Sequence, residues 1–145
     1  MDKAHETIER SMFDRLSSEL QRPPFNRWLG ARPVRVNEAK REVVVALPYR
    51  PEFSYDEARA VFHGGVVASL IDLTGYASAA IWSSGPTPTV ALHIEFLAPA
   101  ATTELIARGV VRRSGRTMSR VDVEVTAGGA LVALGRGSFF NGVSP

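Results

Sequence analysis

Hydrophobic and polar positions follow two rhythms along this chain, and the switches between them mark its elements. Over residues 3–20, Ile8, Met12, Leu16 and Leu20 recur at helical spacing with charged residues between them, which predicts an amphipathic helix. Pro23 and Pro24 end it. Residues 27–48 change to strand character. Trp28 and Leu29 come first, then Val34 and Val36, then Val43, Val44, Val45 and Leu47, with Asn37-Glu38-Ala39-Lys40 as a hairpin turn between. Pro48 and Pro51 close the pair, and a mixed loop carrying Asp56, Glu57 and Arg59 leads to His63. The stretch from His63 to Trp82 has no polar face and predicts a buried helix over about residues 65–82. After the loop SSGPTPT, residues 90–96 alternate: Val90, Leu92, Ile94 and Phe96 face one way, Ala91, His93 and Glu95 the other. Three more strands are expected at 104–113, 117–127 and 130–140. Their turns are Arg112-Arg113-Ser114-Gly115-Arg116 and Gly128-Gly129. Three hairpins imply an antiparallel sheet, so the fold class is α+β rather than doubly wound α/β. A single domain is expected, with a sheet of about six strands wrapped around one apolar helix.

That helix contains an anomaly. Asp72 sits in its middle, with Ser69, Thr74 and Ser78 nearby. An ionised carboxylate in apolar surroundings costs several kcal/mol unless it is paired or hydrogen-bonded. Its presence there points to a use. The helix is long enough to match a membrane span, but Asp72 and Gly75 weaken that reading.

Composition narrows the field. The chain has 145 residues, enough to bury a core without metals or crosslinks, and it has no cysteine, which excludes disulfides and thiolate metal sites. The formal net charge is only +2, with no continuous basic face for nucleic acid. The charged N-terminal stretch lacks the apolar core of a signal peptide, so a cytoplasmic home is expected. His5 reads as an exposed residue of a first turn. His93 and Glu95 share a strand face but do not complete a zinc site, and no metal is expected. Gly64-Gly65 lacks the spacing and the lysine of a phosphate-binding P-loop.

His63-Gly64-Gly65 followed by Asp72 nine residues after the histidine resembles the hotdog-fold thioesterases of the phenylacetic-acid-degradation type. The strand Thr89–Ala100 with its FL-x-PA ending, the RRSGRT turn and the terminal GRGSFF are similar to that family as well, over about residues 28–141. The resemblance implies a sheet curled round the central helix, a homodimer or homotetramer with sites at subunit interfaces, and hydrolysis of acyl-coenzyme A thioesters, often aryl or fatty acyl. Coenzyme A enters as part of the substrate, and no separate cofactor is implied. Family members often carry Asn six residues before the histidine and Gly three before it, where this chain has Glu57 and Ala60. Glu57 is either an added acid/base or a plain loop residue. Thr89 resembles the hydroxyl that holds the attacking water. Phe96, Pro99 and Ala100 would line the pantetheine path.

Chemistry fits these positions. A thioester needs a base to activate water, or a carboxylate to attack directly, and Asp72 suits either role. It also needs a donor for the oxyanion. The first N–H groups of a helix lack internal partners and lie at its positive end, and a residue without a side chain permits close approach, so Gly65 is expected to serve. Gly64 shares that tight helix start, and His63 is expected to orient it by hydrogen bonding. Gly65 and Asp72 are separated by roughly 10 Å of helical rise, so the two roles combine more easily across two subunits. Arg112, Arg113 and Arg116 suit phosphate recognition, with Ser114, Gly115 and Thr117 adding turn and hydroxyl donors; the alternative is a solvated hairpin tip. Tyr76 and Trp82 read as core or dimer contacts. Against the thioesterase stand a non-catalytic acyl-coenzyme A binding or assembly module on the same fold and, ranked lower, a hotdog dehydratase, since no histidine faces Asp72 in an obvious pairing.

Overall fold

The computed structural model describes residues 3–142. Helix α1 spans Lys3–Gln21 and is followed by a short helix α2, Pro24–Leu29. Strands β1 (Arg32–Asn37) and β2 (Glu42–Pro48) form the first hairpin. A single 3-10 turn, Pro51–Phe53, opens the loop to the central helix α3, Gly64–Ala80. Then come β3 (Thr89–Phe96), β4 (Glu104–Ser114), β5 (Met118–Ala127) and β6 (Ala130–Phe140). All six strands join one antiparallel sheet in the order β1-β2-β4-β5-β6-β3. The sheet curves around α3, the arrangement of a hotdog fold.

The alternating strand pattern supplies the core. Val43, Val45, Ala107, Val121, Val123 and Val125 are buried on the sheet face that meets Leu70, Ile71 and Ala77 of α3. Two strand glycines let helix and sheet come close. A Cβ on Gly109 would lie 2.2 Å from the Ser78 hydroxyl, and one on Gly135 would lie 2.2 Å from Ile71 Cγ2. Leu16 and Leu20 bring α1 into the same core with no exposed surface, whereas Ile8 near its start is 42% exposed.

Four expectations need correction. Pro24 does not simply stop a helix; it starts α2, because proline's fixed φ and missing N–H suit a first helical position. Gly30 then closes α2 at φ 78° in the left-handed region, so Trp28 and Leu29 are helical rather than strand residues. Arg112 and Arg113 belong to β4, whose ladder runs on through Ser114↔Ser119 past a bulge, and the turn itself is shorter than the sequence implied. The central helix is not wrapped on all sides. Gly65, Ala68, Ser69, Asp72 and Tyr76, which fall on one stripe at helical spacing, keep partial or full exposure.

The strand after α3 does not pair with the next strand in sequence. β3 lies at the sheet edge beside β6, with Leu92↔Gly137 and Ile94↔Gly135 in register. The chain then crosses to β4, beside β2. On the way Ala100 accepts the Phe62 N–H at 3.0 Å and Ala101 bridges Val61, which ties this strap to the residues just before His63.

Candidate active site

The start of α3 is built by a short chain of contacts. Trp28 of α2 packs edge-on against Phe53, with the Arg50 guanidinium over both rings and bonded to the Trp28 carbonyl at 2.8 Å. Phe53 in turn accepts the His63 N–H at 2.7 Å. His63 is extended, at φ −60° and ψ 139°, which turns its ring back over the first helical turn. Its Nδ1 accepts the Gly65 N–H at 2.8 Å, the geometry of a helix cap. The donor expected for the oxyanion is therefore engaged by the neighbouring imidazole. The Gly64 N–H has no acceptor among the described residues.

Gly64 also faces the cleft. Together with Tyr55, Phe62, Phe96, Pro99 and Ala100 it lines a space of about 440 Å³, within the size range of small-molecule sites. A Cβ on Gly64 would make ordinary contact with the Phe96 ring at 3.6 Å. The structure thus brings Gly64, Phe96, Pro99 and Ala100 together. The sequence reading missed Tyr55 and Phe62; their signal was an aromatic pair in the loop that feeds His63.

Asp72 lies eight residues further along α3, about 12 Å of rise from Gly64. Its carboxylate is half-buried and its Oδ1 accepts the Thr89 hydroxyl at 2.7 Å. The expectation of a carboxylate sealed in an apolar interior is not met, because Asp72 is on the open stripe of the helix. β3 runs back along α3, with Thr89 beside Asp72 and Phe96 beside Gly64, so the Gly64 cleft and the Asp72–Thr89 pair lie at opposite ends of the strand. Glu57 stands in an exposed turn pinned by Asp56, which caps the Ala58 N–H at 2.9 Å and pairs with Arg59.

The basic hairpin sits at the Asp72 end, since Met118 pairs with Phe140 and Phe139 with Thr89. Its groups differ. Arg112 is taken by Asp122 at 2.9 Å on the sheet face away from the helix. The Gly115 N–H is committed to the Met118 carbonyl at 2.8 Å, and the Ser114 hydroxyl accepts from Ser119 at 3.2 Å. Arg113 and Arg116 are exposed and make no ion pair among the described residues, and Thr117 is exposed beside them.

A second depression of about 540 Å³ lies on the outer face of the sheet, lined by His93, Glu95, Arg108, Arg112, Asp122 and Arg136. Its guanidinium groups are already matched: Arg112 and Arg136 bind Asp122, and Arg108 binds Glu42 and Glu124. Glu42 is buried, which alone would raise its pKa, but the hydrogen bond from Arg108 and the charges of Arg35 and Arg108 hold it below the usual carboxylate range. Hydrogen bonding from Arg136 likewise holds Asp122 low against a smaller opposing effect of burial. This is an ion network on the outside of the sheet, away from the Gly64 cleft. Among the described residues, no three His, Asp or Glu side chains gather as a metal site.

A curved sheet on one helix, with a glycine-rich helix start and a carboxylate on the open helix stripe, defines the class: a hotdog-fold protein. Comparison with known proteins agrees. Residues 60–133 match the family model described as the thioesterase superfamily. A protein of Saccharolobus solfataricus named as an esterase candidate is 35% identical over 107 residues, covering 72% of this chain and 75% of that one. The phenylacetic acid degradation protein PaaI of Thermus thermophilus, solved as a point mutant, is 27% identical with a TM-score of 0.71, over 82% of this chain and 99% of that one. The Escherichia coli PaaI structure, at 20% identity, shows the fold: TM-score 0.81 over 94% of this chain and 96% of that one. The chain belongs to the thioesterase superfamily, and that membership supports thioester hydrolysis as its class of reaction. No helix among the described residues is long and apolar enough to cross a membrane.

Proposed function

We propose that this protein hydrolyses acyl-coenzyme A thioesters at a site completed by a second copy of the chain. The observation that carries this reading is the distance along α3 between the two groups the reaction needs. Gly64 lines an apolar cleft and its N–H has no acceptor among the described residues, and the Asp72–Thr89 pair lies about 12 Å further along the same helix. One carbonyl carbon does not reach both ends. A two-fold dimer that sets the helices antiparallel places Gly64 of one copy against Asp72 of the other, twice. The exposed edge strand β3 supports such a dimer, with Val90 60% and Phe96 57% exposed and Leu97, just past its end, 49% exposed. Pairing of two β3 edges extends both sheets and covers this apolar border.

In this reading Asp72, fixed by the Thr89 hydroxyl, takes a proton from water as the water oxygen adds to the thioester carbonyl. The Gly64 N–H at the positive end of α3 holds the oxyanion. His63 keeps the Gly65 N–H occupied and so fixes the shape of the helix start. The tetrahedral species collapses to the acid and the coenzyme A thiolate, which recovers the proton from Asp72. Phe96, Pro99 and Ala100 flank the pantetheine arm, and Arg113, Arg116 and Thr117 take its phosphates. Glu57 remains a loop residue. A chain without cysteine is compatible with a cytoplasmic setting.

The test is thiol release from a panel of acyl-coenzyme A substrates, comparing wild type with Asp72→Asn. Turnover that the variant loses supports the hydrolase. Tight binding of every ligand with no turnover by either protein would instead make the chain an acyl-coenzyme A binding or assembly module.

A further inference from the structure

One polar cluster lies outside the machinery described so far, where α1 crosses the C-terminal half of α3. Tyr76 is one helical turn beyond Asp72 and on the same open stripe as Gly65, Ser69 and Asp72. Its hydroxyl donates to Glu19 Oε2 and accepts from Arg22 Nη2 at 3.3 Å. Glu19 and Arg22 also bind each other at 2.9 Å. Arg15 of the same helix bonds the Ser83 carbonyl at 2.8 Å, just past the end of α3. Met12 and Phe13 pack against the core beneath. The phenol is thus anchored by its oxygen to α1, and its ring bounds the helix stripe on the side of Asp72 away from Gly64.

We infer that Tyr76, clamped by Glu19 and Arg22, is the end wall of the acyl channel and limits the chain to short acyl groups. The inference rests on the two-copy site proposed above. A thioester carbonyl beside Asp72 has about 6 Å of helix before it meets this ring, which leaves room for a short acyl group and not for an extended fatty chain. The hydroxyl donates to Glu19 and accepts from Arg22 on the α1 side, so the wall offers an acyl group the carbon of the ring. Tyr76 lies inside residues 60–133 matched by the family model, whereas Glu19 and Arg22, which hold its hydroxyl, lie before them.

The experiment measures equilibrium binding of non-hydrolysable thioether analogues of acyl-coenzyme A, two to sixteen carbons long, to the full-length protein. Wild type is expected to bind short analogues best and to lose affinity as the chain lengthens. Tyr76→Ala should move the optimum to longer chains, gaining about fourfold for each methylene that fills the vacated space. Tyr76→Leu, a gentler change should the alanine variant not fold, should move it less in the same direction. Tyr76→Trp should shorten it, and Tyr76→Phe, which keeps the ring, should leave it in place. An unchanged chain-length profile in both the alanine or leucine variant and the tryptophan variant overturns the inference. Turnover of acyl-coenzyme A by wild type and Asp72→Asn, followed in parallel, judges the hydrolase separately, because the binding profile is read without catalysis.

Discussion

Gly109→Ala probes how closely the sheet lies against α3, the helix that presents Asp72. Gly109 is in extended backbone within β4, where alanine ordinarily gains about 0.5–1 kcal/mol over glycine by restricting the unfolded chain. The packing predicts the opposite sign. The new methyl would lie 2.2 Å from Ser78 Oγ and 3.1 Å from Thr74 Cγ2, both buried. Ser78 Oγ is held by the Thr74 carbonyl at 2.6 Å and has nowhere to move without losing that bond. Overpacking of this kind costs about 1–3 kcal/mol, and a strained buried hydrogen bond about 1 more. The net loss is therefore about 1–3 kcal/mol, a fall in melting temperature of several degrees for a domain of this size. Ser78→Ala removes the offending oxygen and leaves Ser78 Cβ at 3.4 Å, an ordinary contact. Urea denaturation of both single variants and the double variant should show the double variant more stable than the sum of the singles by about 1 kcal/mol or more. Strict additivity, or a stabilised Gly109→Ala, would refute the close helix–sheet contact.

Asp72→Asn should fold with little loss of stability, since the side chain is half-exposed, while thiol release falls about 10²–10⁴-fold. Leu16→Ala, at a fully buried position of α1, should cost about 2–5 kcal/mol by chemical denaturation. Glu42→Gln should destabilise the fold at neutral pH. The carboxyl of Glu42 is held below its ordinary value of 4.5 in the folded chain, so its contribution is present above that value and disappears as pH falls through the lower folded value. The stability difference between wild type and Glu42→Gln should therefore shrink on acidification below the ordinary value of 4.5; a difference that grows instead contradicts the Arg35–Glu42–Arg108 network.

Much of this fold is legible in the order of residues. The spacing of Met12, Leu16 and Leu20 marks α1, and the apolar run after His63 marks α3 because nothing else in the chain could cover it. Turn residues and alternation locate all three hairpins. What escaped has a common cause: it depends on partners distant in sequence. β3 pairs with β6, and the strap through Pro99 and Ala100 crosses over to bind Phe62, neither of which a local pattern announces. Asp72 is half-open because the sheet covers only part of the helix, and the stripe Gly65–Ser69–Asp72–Tyr76 has meaning only once the sheet is placed. Arg112 looked like its neighbours Arg113 and Arg116 until the ladder set it opposite Asp122. The engagement of the Gly65 N–H by His63 was within reach of the sequence, since a side chain with an acceptor just before a helix caps the second helical N–H.

Coexpression of two inactive variants, Asp72→Asn and Gly64→Ala, tests the two-copy site most directly. The added methyl on Gly64 meets Phe96 at an ordinary 3.6 Å, so the chain folds while the approach to its N–H is blocked. Purified homodimers of either variant should be inactive, and a one-to-one mixture of chains should recover about a quarter of wild-type thiol release, because half the dimers are mixed and one of their two sites is intact. A mixture as inactive as its parents, with mixed dimers demonstrably formed, would contradict the account.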